Sequence, residues 1–359
     1  MNTLRLMYRG QQNFDFPKMW RTALIGSLAL VLISGGSLIF RGLNLGIEFE
    51  GGTSWEVFAP DASVSDARDA LSGTDAAAAK IQTVGGDSIR VRSDIEGLEA
   101  VAEITVILAE LAGAEENDIS VTTVGPSWGD QITDKAITAL IYFFAVVAIY
   151  IAIRLEWKMA VGALIAVAHD ILISVGVYSL FQFEVTPATV IAFLTIMGYS
   201  LYDTIVVYDK VREINGRLSG TGRYTYNEMM NLALNQVLMR SINTSITSML
   251  PVASMLIVGS FFLGALTLQE FAIALLIGIL VGSYSSIFVA SAIVAMMKSR
   301  EEANVAVARK VESRGLAAEG TRVVSADDVA LGATASRPTA DRPRASNAPP
   351  RPRKKKKKR

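Results

Sequence analysis

Six stretches of the chain are apolar over the roughly 20 residues a helix needs to cross a bilayer. They run from about Trp20 to Phe40, Ala136 to Ile153, Met159 to Phe181, Val185 to Tyr208, Ile242 to Gly264 and Leu268 to Met297. In lipid every backbone N–H and C=O must be bonded within the segment, so each stretch predicts a helix. The last is long enough to tilt or overrun the membrane. The first follows Arg5, Arg9, Lys18 and Arg21 as a signal peptide would, but no A-x-A site comes after it. It reads as an uncleaved anchor.

Between the first two stretches the period changes. Strand patterns run over Thr53–Ala59, Lys80–Val84, Ser88–Ser93 and Ile119–Val124, and helix patterns over Ser63–Ser72 and Ile95–Gly113. The order is β-α-β-β-α-β, which predicts a ferredoxin-like split sandwich. Gly85, Gly86 and Asp87 supply the turn between the middle strands. Ser63 with Asp66 predicts a helix N-cap. The expected fold is a polytopic α-helical membrane protein of six transmembrane helices, with one extracytoplasmic ferredoxin-like α+β domain between helices 1 and 2.

Charge sets the expected orientation, because short loops rich in Lys and Arg stay in the cytoplasm. The N-terminus is basic, as are the turn with Arg154 and Lys158 and the loop with Lys210, Arg212, Arg217, Arg223 and Arg240. The turns Gln182–Glu184 and Ala265–Thr267 carry no Lys or Arg. Both termini are therefore expected on the cytoplasmic side of the membrane. The expected parts are an N-terminal segment 1–19, helix 1 over 20–41, an external domain 42–135, helices 2–6 over 136–297 with a cytoplasmic loop 209–240, and a tail 298–359. The external domain has 18 Asp and Glu against 5 Lys and Arg, a net −13, and reads as a solvated acidic surface. The tail has 17 Lys and Arg against 7 Asp and Glu, a net +10, with no hydrophobic period, and is expected to be disordered. Its polybasic end, Arg351 to Arg359, suits anionic lipid headgroups or ribosomal RNA, or merely retains the tail in the cytoplasm. With no nucleic-acid-binding fold alongside it, specific nucleic-acid recognition is not expected.

At 51% hydrophobic and 19% charged, the composition disfavours a soluble enzyme. With no cysteine and one histidine, disulfides, thiol nucleophiles and multi-histidine metal sites are excluded. Gly51-Gly52-Thr53 lacks the lysine and spacing of a phosphate-binding loop. No catalytic residue, cofactor or metal is expected.

The informative residues are polar groups within apolar stretches, where an ionisable side chain costs about 2.5–3.5 kcal/mol and needs a partner, a wet cavity or a function. Asp203 shares a helix face with Thr195 and Tyr199. Arg240 opens the fifth stretch on a face with Thr244, Thr247 and Pro251, at a depth where it can meet Asp203. Asp170, beside His169, shares a face with Ala166, Ser174 and Tyr178. These four, Asp203, Arg240, Asp170 and His169, make a candidate proton pathway. The alternatives are a structural ion pair, an arginine reaching to the inner surface, and hydrogen bonds that tie helices together. Ala274, Gly278, Gly282, Ser286 and Ala290 recur every four residues and predict close helix packing, within the bundle or against another subunit.

Several ordered motifs together carry a resemblance. Gly46-Ile47-Glu48-Phe49-Glu50-Gly51-Gly52-Thr53 resembles the Gly-Ile-Asp-Phe-x-Gly-Gly-Thr signature of the SecF proteins, members of the SecD/SecF family of protein-export membrane proteins. The signature residues here are Gly46, Phe49, Gly51, Gly52 and Thr53, and Glu48 replaces Asp with its charge kept. The likeness continues through Val124-Gly125-Pro126, His169-Asp170, Gly198-Tyr199-Ser200, Asp203 to Val207, and Asn235 to Thr247, covering about residues 20 to 297. It implies a place in the resistance-nodulation-division superfamily and a pseudo-symmetric SecD partner. It also implies late-stage export of preproteins through the SecYEG channel, with SecA acting indirectly, driven by the proton motive force with protons as the coupling ion. Asp203 and Arg240 match positions the family ties to proton conduction. A small-solute or lipid exporter of the same superfamily, and a passive translocon scaffold, are the competing functions.

Overall fold

The computed structural model describes residues 14–84, 86–262 and 266–313. Helix α1 (Phe16–Arg41) begins at Asp15, whose carboxylate accepts from the Lys18 N–H. It is followed by strand β1 (Asn44–Leu45), a single helical turn α2 (Ile47–Glu50) and strand β2 (Gly52–Phe58). Then come α3 (Val64–Ala70), β3 (Lys80–Val84), β4 (Ser88–Ser93), α4 (Leu98–Ala112) and β5 (Ser120–Val124). The membrane part continues with α5 (Pro126–Arg154), α6 (Trp157–Phe181), β6 (Glu184–Val185), α7 (Pro187–Leu218) and α8 (Tyr226–Ser254). A π-helical stretch, Met255–Phe262, follows α8. The last elements are α9 (Leu266–Ser285), a π-helical turn over Ser286–Ala290, α10 (Ser291–Ser299) and α11 (Glu302–Ser313). Six helices among the described residues are long and apolar enough to cross a membrane.

Strands β2 to β5 form one antiparallel sheet in the order β3-β4-β2-β5, so the first strand of the domain lies between the third and the last. Alternation decides its faces. Trp55, Val57, Ile89 and Val91 point to one side and pack with Ala67, Leu71, Ile104 and Leu108 of α3 and α4. Ser54, Glu56, Arg90 and Arg92 point to the other, because pleated neighbours alternate. The start of α3 carries the reciprocal cap between Ser63 and Asp66.

Several boundaries differ from the hydropathy reading. Helix α5 starts at Pro126, not Ala136, so the domain's last ten expected residues already belong to the helix. The supposed loop 209–240 is almost all helix: α7 runs to Leu218 and α8 starts at Tyr226, leaving 219–225 between them. Thr225 and Glu228 form a capping box there. Val211, Ile214 and Leu218 pack with Tyr226, Met229, Met230 and Leu234. These extensions bury one face and wet the other, so an apolar-window criterion ends too early. In the tail, α11 is helical where disorder was expected, with Glu301 bound to Lys158 at 2.9 Å just before it and Val311 buried within it. The polybasic end, Arg5, Arg9, Gly85 and Ala265 lie outside the described residues.

In the bundle, α9 packs most closely on α7, and glycine makes that approach possible. A Cβ at Gly278 would occupy the space of the Ile196 side chain, and one at Gly282 would lie 3.0 Å from the Ser200 Cβ. The four-residue stripe with Ser286 therefore serves packing within this chain. By contrast, α5 presents Ile141, Val146 and Ile153 outward, and α8 is almost uncovered over its apolar length.

Candidate functional site: two buried carboxylate clusters and a charged joint

Asp170, in the middle of α6, is 1% exposed. Its Oδ1 lies 2.9 Å from His169 Nδ1, and its Oδ2 accepts from Ser200 Oγ of α7 at 2.5 Å and from Ser285 Oγ of α9 at 2.7 Å. Three helices thus meet on one carboxylate. His169 Nε2 and Ser174 Oγ are buried with no hydrogen-bond partner among the described residues.

Asp203 of α7 is half-buried. Its Oδ2 accepts from Ser241 Oγ of α8 at 2.6 Å and from Ser286 Oγ of α9. It lines a cavity of about 30 Å³ with Tyr199, Tyr202, Thr244, Ser245 and Ser283, which has room for water. Close by, Ser245 and Ser283 share a hydrogen bond of 2.6 Å.

The expected meeting of Arg240 with Asp203 does not occur. Arg240 is exposed, and its Nη2 donates instead to Tyr202 OH at 3.4 Å. One residue along a helix turns the side chain by about 100°, so Ser241, not Arg240, faces the carboxylate. Thr195, Tyr199 and Thr247 are likewise exposed, which places the two predicted stripes on an open side of the bundle.

The α+β domain is seated on the bundle through charges. Arg92 donates to Leu45 O at 2.9 Å, Glu184 Oε1 at 3.0 Å and Asn44 Oδ1 at 3.0 Å, and is only 4% exposed. Arg90 bridges Glu184 at 2.6 Å, Glu270 at 2.8 Å and Glu56 at 3.4 Å. Burial opposes the charge on Arg90, but the hydrogen bond to Glu270 and the charges of Glu184, Glu270 and Glu56 outweigh it and hold the guanidinium above its ordinary range. Beneath this joint, β1 pairs in parallel with β6, Asn44 opposite Glu184 and Leu45 opposite Val185. The acidic domain therefore has more than a solvated surface: one sheet face is a salt-bridged seat. None of these residues stood out by motif. The available signal was the run Ile89-Arg90-Val91-Arg92, in which two arginines occupy one face of a strand in an acidic domain.

The glycine signature forms the tight turn at the joint. Gly46 N donates to Val185 O at 2.9 Å, and a Cβ there would lie 2.5 Å from Glu48 Oε2. Gly51 and Gly52 have φ of +82° and +107°, a region that side chains rarely adopt. A Cβ at Gly52 would also collide with the Ser93 carbonyl. Thr53, fully buried, donates to Ile95 O at 2.6 Å and shares a hydrogen bond with Thr123 at 2.9 Å. Phe49 offers its carbonyl so close to Gly129 of α5 that a Cβ there would lie 2.7 Å away. These residues serve as structural joinery.

Residues 36–57, which hold this turn, match the family description "SecD/SecF GG Motif", and residues 104–300, which hold both carboxylate clusters, match "Protein export membrane protein SecD/SecF, C-terminal". The chain belongs to the SecD/SecF family. It is 38% identical to protein translocase subunit SecF of Streptomyces coelicolor over 328 residues, covering 90% of this chain and 87% of that one. Identity is also 38% with SecF of Mycobacterium tuberculosis, over 83% of this chain and 70% of the relative. The crystal structure of SecDF, a translocon-associated membrane protein from Thermus thermophilus, superposes with a TM-score of 0.72 at 34% identity. That match covers 82% of this chain and 41% of the SecDF chain, so this member of the family spans about two fifths of the SecDF polypeptide. With six apolar helices and these relatives, it is a multi-pass membrane protein of the SecD/SecF type.

Proposed function

We propose that this chain is the SecF-type subunit of a bacterial Sec export machinery, working with a SecD partner to couple the proton motive force to late-stage translocation. The termini lie in the cytoplasm and the α+β domain lies outside the cytoplasmic membrane, as the distribution of Lys and Arg favours. SecYEG supplies the channel, SecA spends the ATP, and the preprotein emerges beside the α+β domain. The chain itself is a transport subunit, with protons as its coupling ion and no enzymatic step. Membrane lipids cover part of the uncovered α5 and α8 surface, and SecD covers the side where Asp203 and Arg240 lie.

The observation that carries this reading is Asp203: a half-buried carboxylate on a membrane helix, held by hydroxyls and lining a cavity with room for water. An intramembrane carboxylate is costly unless it works. Hydroxyl partners suit a group that gains and loses a proton, since Ser can donate to the carboxylate and accept from the acid. One charge crossing 100 mV releases about 2.3 kcal/mol, which shifts a two-state equilibrium about 50-fold. That is enough to bias helix packing and move what the helices carry.

The test is Asp203→Asn in cells depleted of the native subunit, read as accumulated precursor protein and as copurification with SecD. Loss of the proton-dependent part of export with assembly intact is expected. Normal export would remove Asp203 from the mechanism and leave a passive scaffold, and solute retention with normal export would point to a small-molecule or lipid exporter.

A further inference from the structure

Helix α9 gives way to a π-helical turn at Ser286, and the two residues at that junction send hydroxyls to different carboxylates. Ser285 Oγ donates to Asp170 Oδ2 at 2.7 Å, and Ser286 Oγ donates to Asp203 Oδ2. Consecutive helical residues point about 100° apart, so one short segment of α9 reaches α6 on one side and α7 on the other. Both serines are fully buried. Each hydroxyl also has a second acceptor on its own helix, Gly282 O at 3.2 Å for Ser285 and Ser283 O at 3.2 Å for Ser286. Helix α7 closes the circuit from the other side, because Ser200, three residues before Asp203, donates to the same Asp170 oxygen.

The ionisable groups around this circuit are few. Asp170 has His169 on its own helix and only serine hydroxyls from α7 and α9. Asp203 has Ser241 from α8 and Ser286 from α9, with Tyr199 and Tyr202 on the cavity wall and Arg240 engaged by Tyr202. π-turns inside helices recur at functional sites, where they re-aim side chains that a regular helix would point elsewhere.

We propose that Ser285 and Ser286 are positioning residues that couple Asp170 to Asp203, so that a change of protonation at either carboxylate is felt at the other through the π-turn of α9. A proton arriving on Asp203 Oδ2 turns an oxygen that accepts two hydrogen bonds into an O–H donor. Ser286 then turns its O–H to donate a hydrogen bond to Ser283 O and accepts one from the new acid, and the proton on Asp203 later leaves from the same oxygen. Ser285, one peptide unit away, moves with that adjustment and changes its division between Gly282 O and Asp170. The inference rests on the proposed function only in taking Asp203 as a site where protons arrive.

The experiment uses the full chain with its SecD partner in membrane vesicles, treated with a hydrophobic carbodiimide that labels protonated carboxyls, and read residue by residue by peptide mass spectrometry. Ser286→Ala is expected to change labelling at Asp170 as well as Asp203, and Ser285→Ala at Asp203 as well as Asp170, each by about threefold to tenfold, the scale of one hydrogen bond. Ser→Thr at either position, which keeps the hydroxyl, is expected to restore wild-type labelling. Asp203→Asn and Asp170→Asn, nearly isosteric, provide the same cross-reading without touching the serines. Effects confined to the nearer carboxylate, or no change at all, would overturn the coupling. Normal export by Asp203→Asn alongside cross-labelling would instead overturn the function and leave the coupling standing.

Discussion

Two regions of this molecule bury carboxylates, and they do so in opposite ways. At the joint between the α+β domain and the bundle, Glu184 and Glu270 are answered by Arg90 and Arg92. Inside the bundle, Asp203 is answered by two serines and Asp170 by two serines and His169. A guanidinium favours the ionised form of the carboxylate it pairs with. A hydroxyl serves the ionised and the neutral forms alike, because it can turn from donor to acceptor. The joint is held by ion pairs, whereas on the proposed function the membrane sites change their protonation.

The comparison fails first if the joint is not rigid. Arg92→Ala leaves the Asn44 and Leu45 oxygens without their donor and Glu184 with Arg90 as its remaining guanidinium, and is expected to cost about 2–4 kcal/mol, read as a lowered thermal midpoint of the purified protein in detergent. Arg92→Lys is expected to recover little of this, since a single ammonium cannot serve three acceptors in the guanidinium's planar geometry. A wild-type midpoint for Arg92→Ala would mean the domain is not seated as described. Gly52→Ala tests the glycine turn next. It adds a Cβ at a φ of +107° and against the Ser93 carbonyl, and is expected to cost about 1–3 kcal/mol by the same measurement. The membrane carboxylate stands at the other extreme: Asp203→Asn keeps an acceptor oxygen for Ser241 and Ser286, so its stability cost is expected to stay near or below about 1 kcal/mol while the proton-dependent part of export is lost. A stability loss as large as that of Arg92→Ala would class Asp203 with the structural carboxylates.

The sequence was most legible where one strong constraint acts. Bilayer thickness dictates runs such as Met159 to Phe181, which α6 follows to within two residues. The period-2 and period-3.6 patterns located β3 and β4 at their observed ends. Asp170 and Asp203 were visible because a carboxylate in an apolar run is rare. Their partners were not, since serine is common in membrane helices and only the rotation of α8 and α9 decides which hydroxyl faces the acid. The same rotation explains why spacing placed Arg240, Thr244 and Thr247 on one face yet could not say that Ser241, not Arg240, meets Asp203. The joint was hidden for a different reason: Asn44, Arg92, Glu184 and Glu270 are brought together from four distant parts of the chain.

The smallest expected effect separates a surface carboxylate from both buried kinds. Asp66, fully exposed at the start of α3, is held below its ordinary value of 3.8 by the side-chain and backbone hydrogen bonds from Ser63. A carboxyl depressed in the folded state contributes stability above its unfolded value and loses that contribution as the pH falls through the folded one. Acidifying from neutrality should therefore leave the cap intact until the pH passes below about 3.8 and then loosen the first turn of α3. Asp66→Asn should remove this acid-side step, and hydrogen exchange at the Ser63 and Asp66 amides is the measurement that reads it. The loss should stay confined to α3, because Leu71 and Ala67 remain packed under α4 whatever the charge at the cap. If exchange in β4 or β6 rose together with that of α3, the N-cap and the arginine joint would be energetically linked, and the division between fixed and switchable carboxylates would have to include the surface of the domain as well.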